Sequence, residues 1–168
     1  MDARQGLRDS QMAKEHHFAA HLVWTGAERG PTRDYESYSR TYRVEVAGKP
    51  PLEGSADPTF KGDPTRHNPE DLLVVALSAC HLLSYLALCS RAGIEVVAYQ
   101  DDARGVMAIK DRRMRFVEVT LTPRVVIAAG DLEQARALHA QAHEHCFIAN
   151  SVNFPVRHEP VVERRASA

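Results

Sequence analysis

The sequence predicts an α+β fold in which antiparallel sheets pack around one long buried helix. Three observations predict it. Residues 68–93 form an apolar run with helix signals at both ends. Strand-like alternation comes in blocks before and after that run, not as alternating β and α segments. A second, amphipathic helix follows the later block.

In chain order, residues 1–15 are polar and patternless and read as a loose tail ahead of a single domain over 16–163. Residues 17–24 alternate, with Phe18, Ala20, Leu22 and Trp24 on one face, which predicts a strand. Residues 26–33 (GAERGPTR) carry turn chemistry. Alternation returns at 38–46, with Tyr38, Tyr42, Val44 and Val46 on one face. Arg40 shares that apolar parity and Arg43 does not, so Arg40 is expected to point inward and to need a partner there. Residues 48–67 are rich in proline and glycine and read as a long ordered loop, a kind of segment that is commonly functional.

The central helix is written with its ends. Asn68 can accept from free first-turn amides, and Pro69 suits the first helical position. Glu70 and Asp71 place negative charge at the positive end of the helix dipole, and Gly93 can close the helix in a left-handed conformation. The rod is roughly 36 Å long. Between the caps only Ser78, His81, Ser84 and Tyr85 interrupt the apolar side chains, so burial on most sides is expected. Cys80-His81 and Ser84-Tyr85 split the run below the ~18 apolar residues a bilayer span needs, which argues against a membrane. In so short a chain one sheet covers one face of such a helix, and the same helix of a second subunit is the simplest cover for the other, giving a two-fold homodimer.

After the helix, residues 94–99, 103–109 and 114–126 read as a three-strand meander, turning at Asp101-Asp102 and again at Lys110-Asp111-Arg112. Asp131 caps a second helix, with Gln134 three residues on and a stripe of Leu132, Ala135, Leu138 and Ala142. Residues 155–162 form a last strand.

The chain has 168 residues, enough for one well-cored domain. A net charge of −1 gives no reason to expect nucleic acid or an anionic membrane as partner. Three cysteines are too few for a disulfide framework and fit a reducing compartment. The first residues hold no apolar signal-peptide core, so the cytoplasm is the expected location. No cofactor motif is read.

Cys80 and Cys89 are nine positions apart, so at about 100° per residue they face opposite sides of the helix and cannot bridge each other. Cys146 continues the inward stripe of the second helix, which makes Cys80 with Cys146 the candidate redox pair. Free cysteines ordinarily serve as small buried hydrophobes, and that reading is kept for Cys89. A reactive Cys80 needs a nearby cation to favour its thiolate. Arg40 is the arginine that parity points inward, and Glu70 could orient it through a forked pair or be a plain first-turn charge.

The residues N-P-E-D-L-L at 68–73, Ser78-Ala79-Cys80-His81, and His145-Cys146 followed by Asn150, in that order, resemble the OsmC/Ohr family of thiol-dependent peroxidases, as a divergent OsmC-like branch. The resemblance covers residues 35–162. It implies an intertwined homodimer and reduction of organic hydroperoxides, with Cys80 attacking, Cys146 resolving, and a thiol reductant of dithiol or lipoyl type reopening the disulfide. Glu70 falls where the family has the glutamate that holds a catalytic arginine. Arg40 is chosen for that arginine, with Arg33, Arg43 and Arg66 as alternatives.

Two other readings compete. Cys80, His81, His139, His143, His145 and Cys146 offer soft and imidazole ligands, and His139 and His143 stand one helical turn apart as zinc ligands do. Against a metal site, no C-x-x-C occurs, and helix-end histidines also suit the dipole. The third reading is a non-catalytic, redox-sensing dimer that oxidises Cys80 without turnover.

Overall fold

The computed structural model describes residues 15–166, and their contacts divide into two compact units, one ending at His67 and the other beginning at Asn68. Apart from Glu15, the expected tail lies outside the described residues.

The first unit is an antiparallel sheet of β1 (His21–Val23), β2 (Tyr42–Glu45) and β3 (Leu52–Gly54), in that order. The strands are shorter than the alternation suggests. At Trp24 the chain leaves β1 for a 3-10 turn over Thr25–Arg29. The Trp24 indole N–H donates to the Ser39 carbonyl at 2.7 Å, and Gly26 N–H donates to Thr41 O at 3.0 Å, which fold residues 24–41 into a closed excursion. Within it Asp34 accepts from the amides of Glu36 and Ser37, so the segment before β2 is a turn. The parity argument for Arg40 therefore fails, because Tyr38 and Arg40 precede β2 and lie on no strand face. The expected loop at 48–67 holds β3 and a 3-10 turn at Pro58–Phe60 capped by Asp57. Gly62 closes this loop against Ala56, whose carbonyl oxygen would lie 1.5 Å from an added Cβ, so only glycine fits.

The second unit is built on α1 (Pro69–Arg91). Asn68 Oδ1 accepts from Asp71 N–H at 2.7 Å and Asp71 returns the bond to Asn68 N–H, a reciprocal cap worth about 1 kcal/mol. Gly93, at φ 69°, closes the other end. By length and composition α1 could cross a membrane. Here one stripe of it is the core of the fold: Leu77, His81, Tyr85 and Cys89, spaced four apart. In the single chain the side of α1 opposite that stripe is not covered, with Val75 57% and Leu83 66% exposed.

Two sheets flank that stripe. One orders β4 (Glu95–Asp101), β7 (Pro123–Ala129) and β9 (Val161–Arg164); the other orders β5 (Arg104–Lys110), β6 (Arg113–Leu121) and β8 (Val156–His158). The expected meander is thus corrected. Only β5 and β6 form a hairpin, turning through Asp111 and Arg112 at φ 52° and 63°. β4 instead pairs antiparallel with β7. The segment expected as one strand at 114–126 breaks at Thr122-Pro123, where Thr122 N–H donates to Asp101 Oδ1 at 2.7 Å. The last expected strand is likewise two, and each joins its sheet in parallel, so the sheets are mixed and not wholly antiparallel. α2 (Leu132–Glu144) forms as expected, with Asp131 Oδ1 accepting from Gln134 N–H at 2.6 Å. It locks onto α1 where the Tyr85 hydroxyl donates to Ala135 O at 3.1 Å.

Candidate active site

The long cap-to-cap run of α1 fixes the position of Cys80, half-buried one step off the core stripe. Cys146 follows the C-terminus of α2, where its amide donates to His143 O at 3.2 Å and its carbonyl accepts from Asn150 N–H at 3.0 Å. Ala135, Leu138 and Ala142 of α2 are buried in the core beside α1, which brings this turn onto α1. The result sets Cys80 and Cys146 near enough for one thiol to act electrostatically on the other.

The two sulfurs differ in character. Cys146 is 1% exposed, and its thiol is pushed up to about 11 by burial first and by the Cys80 thiol second, with the Ala149 N–H at 3.4 Å pulling the other way. At neutral pH Cys146 is a protonated thiol. Cys80 instead lines an open groove of about 770 Å³ with Ala79, Leu83, Ala87, Phe147 and Asn150. Alanine, leucine and phenylalanine side chains thus line the space beside Cys80. Cys89 lies in the core beside Tyr85, and burial pushes its thiol up, as suits a small hydrophobe.

The remaining expected residues are placed less simply. Glu70 stands in the first turn of α1 with no side-chain hydrogen bond or ion pair among the described residues. Arg40 is half-buried, its guanidinium donating to the carbonyls of Tyr38 (2.7 Å) and Tyr35 and lying over both tyrosine rings. Arg43 pairs with Glu53 at 3.0 Å and Arg66 pairs with Glu53 at 2.8 Å, while Arg33 is exposed. Of the four arginines, Arg43 and Arg66 are therefore already matched by carboxylates.

Sequence reading missed how the histidines gather. His81 Nε2 lies 3.0 Å from His139 Nδ1, His139 stacks on Tyr85 at 3.9 Å, and His158 of β8 lies between His81 and His143 at 5.6 and 5.4 Å between rings. The signal was available in part, since His81 falls on the stripe of Leu77, Tyr85 and Cys89. His158 is brought in only by the parallel pairing of β8. Among the described residues no three His, Cys, Asp or Glu side chains converge as metal ligands. Of the ligands that the metal reading named, His81 turns into the core while Cys80 faces the groove.

A mixed-sheet α+β fold with a cysteine on its core helix near a second one beyond α2 defines a class of protein, and comparison identifies the class. The family described as OsmC-like protein matches residues 62–160, a span that includes Glu70, Cys80 and Cys146. An OsmC-like protein of unknown function from Vibrio cholerae superposes with a TM-score of 0.80 at 30% identity, covering 88% of this chain and 100% of that one. This chain belongs to the OsmC-like family. An organic hydroperoxide resistance protein from Elizabethkingia anophelis shares the fold, with a TM-score of 0.66 and 18% identity over 92% of this chain and 100% of that one. The uncharacterized protein YmaD of Bacillus subtilis is 21% identical, over 82% of this chain and 87% of its own length.

Proposed function

We propose that this chain is a cysteine-based peroxidase that reduces organic hydroperoxides to alcohols. The observation that supports it most is the proximity of a half-buried cysteine, Cys80, that lines an apolar groove to a buried thiol, Cys146. The hydroperoxide resistance for which a structural relative is named agrees with it. The Cys80 thiolate attacks the peroxide oxygen distal to carbon; the O–O bond breaks, the alkoxide leaves and takes a proton, and Cys80 becomes a sulfenic acid. The Cys146 thiol then displaces water from that sulfur to form a Cys80–Cys146 disulfide, which protects Cys80 from over-oxidation. An external dithiol, such as a lipoyl-type reductant, returns the two electrons. An apolar substituent gains about 0.8 kcal/mol per buried methylene, so bulky alkyl peroxides are favoured over hydrogen peroxide.

Intact-mass analysis after one equivalent of an alkyl hydroperoxide tests this chemistry. Wild type loses two hydrogens, Cys146→Ser gains oxygen, and Cys80→Ser does neither. Peroxide consumption by Cys80→Ser at the wild-type rate overturns the assignment.

In this reading Arg40 supplies the cation that favours the Cys80 thiolate, and Glu70 orients it. Support comes from Arg40 having no carboxylate partner, and Glu70 no cationic one, among the described residues. Arg40→Ala should then slow alkylation of Cys80 at neutral pH, with Arg40→Lys rescuing only in part because it lacks the forked geometry. Unchanged alkylation moves the role to another arginine. The protein is further proposed to act as a cytoplasmic homodimer in which a second copy covers the outer face of α1, in keeping with three free cysteines and the exposed Val75 and Leu83.

A further inference from the structure

The first unit contains a second, polar pocket, of whose lining the peroxidase reading uses Arg40 alone. It has a volume of about 360 Å³ and is lined by Arg29, Arg40 and Lys61 together with the hydroxyls of Ser39, Thr41 and Ser55. Ligand sites begin at about 300 Å³, so the space suits a small molecule. The nearby acids are already engaged. Asp63, also on the wall, accepts from the Thr65 amide and hydroxyl and pairs with Arg66 at 3.4 Å. Lys61 is matched by Glu36 at 2.9 Å. Arg29 and Arg40 have no carboxylate partner among the described residues, which leaves two guanidiniums uncompensated around one cavity.

Arg40 is also fixed in advance. Two backbone carbonyls hold its fork and two tyrosine rings flank it, so a ligand would not have to immobilise a floppy side chain. Ser55 is 1% exposed on the same wall, and its oxygen accepts from Asp63 N–H at 3.0 Å, so its hydroxyl proton can turn to a ligand.

We propose that this pocket binds a small oxyanion, a carboxylate or phosphate group, between Arg29 and Arg40 with the Ser55 hydroxyl as a further donor. Guanidiniums suit such groups because they stay charged and carry five N–H donors, of which Arg40 gives two to the Tyr38 and Tyr35 carbonyls. The proposal does not rest on peroxide chemistry, and since Arg40 also figures in that chemistry the test measures binding and not turnover.

Trp24, the chain's single tryptophan, donates to the carbonyl of Ser39 on the pocket wall, so its fluorescence is a local reporter. The full chain is titrated with inorganic phosphate, with succinate, and with glycerol as an uncharged control. Saturable binding of phosphate, succinate or both in the millimolar range or tighter is expected, and none of glycerol; which anion binds more tightly identifies the head group. Arg29→Gln and Arg40→Gln should each weaken binding about tenfold or more, with Arg40→Lys intermediate. Because Arg29 is exposed, Arg29→Gln reads the pocket even if Arg40→Gln disturbs the fold. Absence of saturation by both anions, or unchanged affinity in Arg29→Gln, overturns the proposal.

Discussion

Acidification from neutral to about pH 5 should remove several kcal/mol of folding stability from this protein. The cause is the histidine cluster. Burial, helped by neighbouring imidazoles, lowers His81 from 6.5 to about 4 and His139 from 6.5 to about 3, and lowers His158 as well. All are neutral in the folded chain at pH 7. Below about 6.5 the unfolded chain takes up protons that the folded chain refuses, so stability is complete above that value and falls as pH falls, until His81 itself protonates near 4. Each such histidine contributes a slope of up to about 1.4 kcal/mol per pH unit, so His81 and His139 together remove about 3 kcal/mol per unit. The groups facing the cluster are Tyr85 from α1, His139 and His143 from α2 and His158 from β8, and none of them carries a compensating negative charge at neutral pH. Urea midpoints measured across this range check the slope. His139→Phe keeps the stack on Tyr85 and should flatten the slope by one histidine; parallel curves for variant and wild type would show that the cluster is not the source.

Leu83→Asp should convert a dimer into a monomer. Leu83 is 66% exposed on α1 in the single chain, and Val75 at 57% lies on the same uncovered side, beside the 80% exposed Phe147. Apolar exposure of that kind is expected to be covered, and burying an unpaired carboxylate in its place costs several kcal/mol. Light scattering should give twice 18.7 kDa for wild type and the single-chain mass for the variant. A folded wild-type monomer at micromolar concentration would refute the assembly outright.

How far the sequence was legible follows how local each signal is. Asn68, Pro69 and Gly93 mark α1, and Asp131 marks α2, because capping is settled within one turn. The β5–β6 hairpin is legible for the same reason. The pairing of β4 with β7 across an intervening hairpin is not, since nothing near β4 encodes its distant partner. Pro123, which lacks an amide proton, was the one overlooked mark of the break between β6 and β7. Arg40 shows the opposite failure: two-residue alternation at Tyr38 and Arg40 imitates a strand while Asp34 and the tyrosines hold a turn. At the candidate site, Cys146 is buried just past α2, where that helix's stripe continues, while Cys80 lies one step off the core stripe of α1. The groove was not legible, because it is made by the spacing between α1 and the turn after α2.

The division of residues 156–164 between two sheets has a consequence for synthesis. β8 adds beside β6 and β9 beside β7, both in parallel and both with partners more than thirty residues earlier. On a ribosome, α1 and the β5–β6 hairpin can form as they emerge, but neither sheet gains its third strand until this late segment is out. Closing such long loops slows folding relative to local pairing. His158 arrives with β8, so the histidine cluster is also assembled last. The nascent chain therefore spends its longest interval with two unfinished sheet edges, and those edges are where a co-translational chaperone would have most to shield.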